Sequence, residues 1–227
     1  MNKSVVKVDK PQNYLLVEGK DDLHVIYSLL LHYQVPELFK PKTIDGISKL
    51  SEAFEDGVGR LLEAFEVELT LLEEGKLGIV VDADIDLAAR WRSLQNILIG
   101  LGYEAVPVNP IPGGTIIEQN NRPTVGIWLM PDNRIPGMLE DFVSFLLPPD
   151  DLLWPVAEDI LQKVVEQDCR FRPTYRIKAK IHTWLAWQKE PGKPLGQAIT
   201  ATYFNANAPH AQELIDWIRR LFVPEPV

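Results

Sequence analysis

Apolar residues in this chain come in two rhythms. Short unbroken runs, Tyr14-Leu15-Leu16-Val17, Leu77-Gly78-Ile79-Val80-Val81 and Val125 to Met130, have the length and aliphatic content of buried strands. The second of these reads as a central parallel strand covered on both faces. Elsewhere the repeat is three and four residues. Leu23, Ile26, Leu30 and Tyr33 share one face of a helix from about Asp21 to Tyr33, and Pro36 ends the pattern. Leu87, Trp91, Leu94, Leu98 and Leu101 do the same for a second helix, with Gly100 and Gly102 at its exit. Residues 47 to 73 carry a sustained apolar stripe that Gly57 and Gly59 can divide into two helices.

Weaker strand signals lie between these elements. Phe39 to Ile44 gives a second strand signal, weakened by Pro41, which cannot donate to a ladder. Tyr103 to Val108 predicts another strand. Thr115 to Glu118, with a turn at 119–122, predicts the first arm of a hairpin that would place one strand antiparallel. After Pro136-Gly137 only helices are expected, at Met138–Leu147, Leu152–Gln167, Thr174–Trp187 and Pro209–Phe222. Alternating strands and helices followed by helices alone define an α/β class, with a mainly parallel sheet flanked by helices. The joint Pro148-Pro149 divides the chain into an α/β domain, 1–147, and a helical C-terminal portion packed on it or beside it, 148–227.

Composition narrows the classes. In 227 residues, hydrophobic content is 46 % and charged content 24 %, and no run approaches the ~18 apolar residues of a membrane span. The opening MNKSVVKVDK has no apolar signal core, and Cys169 stands alone, so a cytoplasmic, membrane-free protein without an internal disulfide is expected. Histidines at 24, 32, 182 and 210 do not form a zinc pattern. A net charge of −9 excludes a protein whose main task is to coat nucleic acid. The charge is unevenly spread, however. Residues 45–74 hold nine acids against Lys49 and Arg60, whereas in residues 170–193 seven bases face only Glu190.

Candidate chemistry sits where strands end. Glu18-Gly19 follows the first run, and Asp82, Asp84 and Asp86 close the second. In an open parallel sheet, ligands bind outside the carboxyl ends of the strands, so these acids are placed to converge. Gathered carboxylates repel unless a positive charge intervenes, and a hard cation such as Mg²⁺, shared with substrate phosphate oxygens, is the natural counter-charge. The plainer alternatives are helix capping by Asp21, Asp22, Asp84 or Asp86, and for Asp86 the cap is preferred. An EF-hand is excluded because Leu87 and Ser93 stand where Gly and Glu are required. No Walker sequence is present.

The placement of Glu18 and of the Asp82-x-Asp84 pair resembles the Toprim domain of topoisomerases, bacterial primases, recombination proteins and the overcoming-lysogenization-defect nucleases. The resemblance spans roughly residues 12–130. It is closest to small bacterial Toprim-like proteins in which Glu-Gly-x-x-Asp opens the domain and a Gly-x-x-Glu-Asp segment follows the sheet, here Gly137-Met138-Leu139-Glu140-Asp141. The resemblance implies a Rossmann-like Toprim fold in which Asp82 and Asp84 ligate Mg²⁺ or Mn²⁺ and Glu18 either acts as general acid or base or completes the metal shell. It offers Glu140 and Asp141 as candidates for a second metal, against the alternative of first-turn acids favoured by a helix dipole. The activity implied is phosphodiester hydrolysis, with a nuclease in DNA repair or phage defence as the leading expectation and a non-catalytic partner subunit as the other. Any ATPase would come from a separate partner. Lys20 and the bases Arg176, Lys178 and Lys180, interleaved with rings in the 170–193 tract, are candidate nucleic-acid contacts, or else belong to a solvated helix whose aromatics pack inward.

Overall fold

The computed structural model describes residues 13–44 and 57–224. Its centre is a five-stranded sheet in the order β2-β1-β3-β5-β4, built from β1 (Tyr14–Val17), β2 (Lys40–Thr43), β3 (Lys76–Asp82), β4 (Thr115–Ile117) and β5 (Thr124–Met130). All neighbours are parallel except β4 and β5. The chain is thus an α/β protein, and the antiparallel hairpin arm falls where the sequence placed it. At the edge position of β2, Pro41 leaves no central ladder bond unmade.

Period-two alternation sorts the strand residues onto two faces. Leu16, Leu77, Ile79, Val81, Val125, Ile127 and Leu129 pack against α2 (Gly57–Leu71) and α3 (Leu87–Gly100). Leu15, Val17, Val80, Trp128 and Met130 meet α1 (Lys20–His32), α4 (Leu139–Ser144) and the later helices α5 (Leu153–Asp168), α6 (Arg176–Leu185), α7 (Leu195–Thr200) and α8 (Pro209–Phe222). α8 lies directly on the sheet. It can do so because Gly78 and Gly126 present no side chain on that face: a Cβ at Gly126 would collide with the Leu221 side chain, and one at Gly78 would lie 2.7 Å from Leu15 Cδ1. Lys76 Nζ donates to the Leu221 carbonyl at 2.6 Å, and Trp217 packs on Trp128 with ring centroids 5.7 Å apart.

Two expectations need correcting. Tyr103–Val108 forms no strand; it runs along α3, where Trp91 Nε1 donates to the Val108 carbonyl at 3.1 Å and Gln95 Nε2 to the Pro107 carbonyl at 2.6 Å. Its carbonyls are taken by side chains, and Pro107 has no N–H to offer a ladder. The region after Pro136-Gly137 also holds α7, which the periodicity did not reveal. The N-terminal part of the helical stripe at 47–73, with Asp45, Glu52, Glu55 and Asp56 of its acidic face, lies outside the described residues.

Candidate metal and phosphate site

The chain leaves β1 towards β2 on one side and later returns to β3 on the other, so the sheet reverses direction between β1 and β3. Such a switch point opens a crevice at the carboxyl ends of the two strands. Continuing the register Leu16↔Ile79 by two residues sets Glu18 beside Val81, one position short of Asp82. A pocket of about 380 Å³ forms there, lined by Glu18, Asp21, Asp22, Asp82, Glu140 and the bases Lys20 and Lys178.

Each acid arrives by a different local device. Glu18 is the first residue beyond β1, and Gly57 of α2 stands against it so closely that any side chain at 57 would collide with the Glu18 carboxylate. Asp22, in the first turn of α1, accepts the Gly19 N–H on Oδ2 at 3.2 Å and so caps the helix while facing the pocket. Glu140, in the first turn of α4, is 4 % exposed and meets Lys178 Nζ of α6 at 2.9 Å. Asp82 ends β3, and its Oδ1 is sealed from solvent with no hydrogen-bond donor among the described residues. Burial, then the charges of Asp22, Glu18, Glu140 and Asp84, hold the Asp82 carboxyl well above the usual carboxylate range. Burial likewise pushes Asp22 up to about 6, against its helpful backbone hydrogen bonds and with Glu140 and Asp21 adding to the rise. Burial disfavours the Lys178 charge, but the Glu140 hydrogen bond and the charges of Glu140, Asp21 and Asp82 together raise its pKa.

Asp84 is placed differently from the sequence expectation. It adopts a left-handed backbone conformation, φ 54°, and its N–H donates to the Gly137 carbonyl at 2.8 Å. Its carboxylate pairs with Arg90 Nη2, while Arg90 Nε holds the Asp82 carbonyl at 2.9 Å. Asp84 therefore faces a neighbouring cleft of about 750 Å³, shared with Ile85, Asp141, Tyr175, Arg176 and Lys180. Among the described residues, no three His, Cys, Asp or Glu side chains stand so as to hold a metal ion together. The trio Glu18, Asp82 and Asp84 is thus not assembled as a closed ligand set.

The other candidates sort as follows. Asp86 caps α3, accepting the Ala89 N–H at 2.9 Å. Asp141 caps α4 through the Met138 N–H at 2.9 Å and opens on the larger cleft, not on the pocket beside Asp82. Arg176 and Lys180 both pair with Glu158 of α5, and Lys180 also lies over the Trp154 ring, 3.8 Å from its centroid. Lys20 is exposed at the pocket rim. The sequence offers Asp22 as a cap and as the last residue of the Glu-Gly-x-x-Asp motif but not as a site residue; the sign of that second role is its spacing from Glu18.

The donor set suits a hard cation. It is all oxygen, it surrounds a buried carboxylate atom without a donor, and its mutual repulsion asks for positive charge. Mg²⁺ is commonly held by one or two carboxylates, waters and substrate phosphates, a mode that does not require three acids closed on one ion. Replacing Gly57 by Ala should shift the Glu18 carboxylate and weaken Mg²⁺ binding by about tenfold, on the scale of outer-shell changes at metal sites. Calorimetric titration of the variant checks this.

Fold and pocket together define an α/β protein with a carboxylate-lined crevice at the carboxyl ends of adjacent parallel strands. The chain belongs to the family described as protein of unknown function DUF3226, which it matches over residues 12–223. No curated protein and no solved structure matches it. No helix among the described residues is long and apolar enough to cross a membrane.

Proposed function

We propose that this is a Toprim-like cytoplasmic protein that binds Mg²⁺ or Mn²⁺ and hydrolyses phosphodiesters of nucleic acid, as a nuclease of DNA repair or phage defence. One observation carries the reading: the buried Oδ1 of Asp82, without a donor among the described residues, among Glu18, Asp22 and Glu140 at the switch point of a mainly parallel sheet. When bound, the cation supplies charge neutralisation at the phosphate and a more acidic water. Asp82 is its principal holder. Glu18, at the end of the adjacent strand, either completes that shell or takes the proton of the attacking water. Lys20 at the rim and Lys178 within the pocket offer ammonium donors to phosphate oxygens. Arg176 and Lys180, both paired with Glu158, lie along the neighbouring cleft and can attract a strand only as part of a partly neutralised surface.

A second reading, a non-catalytic Toprim-like scaffold or partner subunit of a larger complex, draws on the pairing of Asp84 with Arg90 and of Glu140 with Lys178, which leaves two of the acids internally satisfied. The two diverge in one assay. Incubated with single-stranded or plasmid DNA and Mg²⁺ or Mn²⁺, the protein should degrade the DNA, and chelation should stop it. Intact DNA with both metals would support the partner-subunit reading instead.

A further inference from the structure

The second acidic pair, Glu140 and Asp141, is the natural place to look for a second ion, and its geometry argues against one. Asp141 is spent on the Met138 N–H and turns to the other cleft. Glu140 remains in the pocket, but its Oε1 is 2.9 Å from Lys178 Nζ. That ammonium reaches in from α6, an element 38 positions downstream, and only 6 % of the Glu140 side chain meets solvent. Two-metal phosphodiester sites space their ions at roughly 3.5–4 Å. An ammonium bound to the carboxylate that a second ion would need already uses that ligand, and adding a divalent ion beside it would set like charges together at short range.

We propose that the pocket takes a single divalent cation, at Asp82, and that Lys178 Nζ stands in the position of the second, where it meets a phosphate oxygen of the substrate. The inference rests on the metal-dependent reading above and deepens it. Anchored to Glu140, the ammonium keeps two of its three N–H donors for phosphate, and it needs no cation from solution to do so. Lys178 is thereby a substrate-contacting residue, and Glu140 is a positioning residue that acts through it. The remaining acids, Glu18, Asp21, Asp22 and Asp82, leave enough negative charge for one divalent ion.

The test is the number of Mn²⁺ ions bound per full-length chain without nucleic acid, read by calorimetry and by the electron paramagnetic resonance spectrum, which broadens when two ions couple. The wild type should bind one ion and show no coupling. Lys178→Met, about half exposed in the folded chain and so tolerable to the fold, should vacate Glu140 and bind two. Lys178→Arg should stay at one, and the double variant Lys178→Met with Glu140→Gln should return to one. Two ions in the wild type, or one in Lys178→Met, would overturn this inference and leave the metal-dependent reading standing. No ion in any form would overturn both.

Discussion

Asp82→Asn should abolish metal-dependent DNA cleavage, by about 10³-fold or more, since the interaction lost at the phosphate is worth several kcal/mol in the transition state. The same change should make the metal-free protein more stable. The carboxylate is largely buried, its Oδ1 has no donor among the described residues, and it lies in the field of Asp22, Glu18, Glu140 and, more weakly, Asp84, so ionising it at neutral pH opposes folding. An amide of the same shape removes that repulsion. A gain of about 1–2 kcal/mol is expected, of the kind that follows when a strained functional group is replaced, and at this chain length it raises the melting temperature by roughly 2–8 °C. Thermal melts without divalent ions, alongside the cleavage assay, check both halves. Loss of cleavage with a lowered melting temperature would mean that Asp82 is a structural residue, not a functional one.

The second large effect is a dependence on pH that bound metal should offset. Asp22, pushed up to about 6, and Asp82, held well above its ordinary value, keep protons in the folded chain that the unfolded chain releases near 4. Their contribution to stability is therefore full below the unfolded carboxylate range, and it is lost as pH rises through about 6 for Asp22 and higher for Asp82. The metal-free protein should lose this increment of stability between about pH 4 and neutrality. Cation binding needs the deprotonated acid, so Mg²⁺ affinity should rise about tenfold per pH unit while one ligand proton is displaced. Added Mg²⁺ should then raise the melting temperature little at low pH and progressively more towards pH 8. Melting curves with and without Mg²⁺ across this range would show the gap widening. A gap that stays constant would place the bound ion away from these acids.

Much of this arrangement was legible in the chain. The runs ending at Val17 and Val81 gave the two strands whose tips form the pocket, because a strand buried on both faces has few residues to choose from. The cap at Asp86 followed from local chemistry. What escaped was set by contacts remote in sequence or by a single dihedral angle. Asp84 looks equivalent to Asp82 in a list of residues, but its left-handed backbone and Arg90 turn its carboxylate to another cleft. The partnership of Glu140 with Lys178 joins helices that no local pattern links. Tyr103–Val108 has strand-like composition, and only α3, through Trp91 and Gln95, explains why it lies as an irregular strap. α7 is six residues long, too short to show a period.

The packing of α8 onto Gly78 and Gly126 bears on how the protein is made. Lys76 and the Leu221 carbonyl it holds are 145 residues apart, so one side of the central strands leaves the ribosome long before its cover has been translated. Until that helix emerges, the face that carries Leu15, Val80 and Trp128 has only the earlier helices to cover it. Completion of folding is thus tied to late synthesis, and interrupted translation products of this protein should be clients for chaperones.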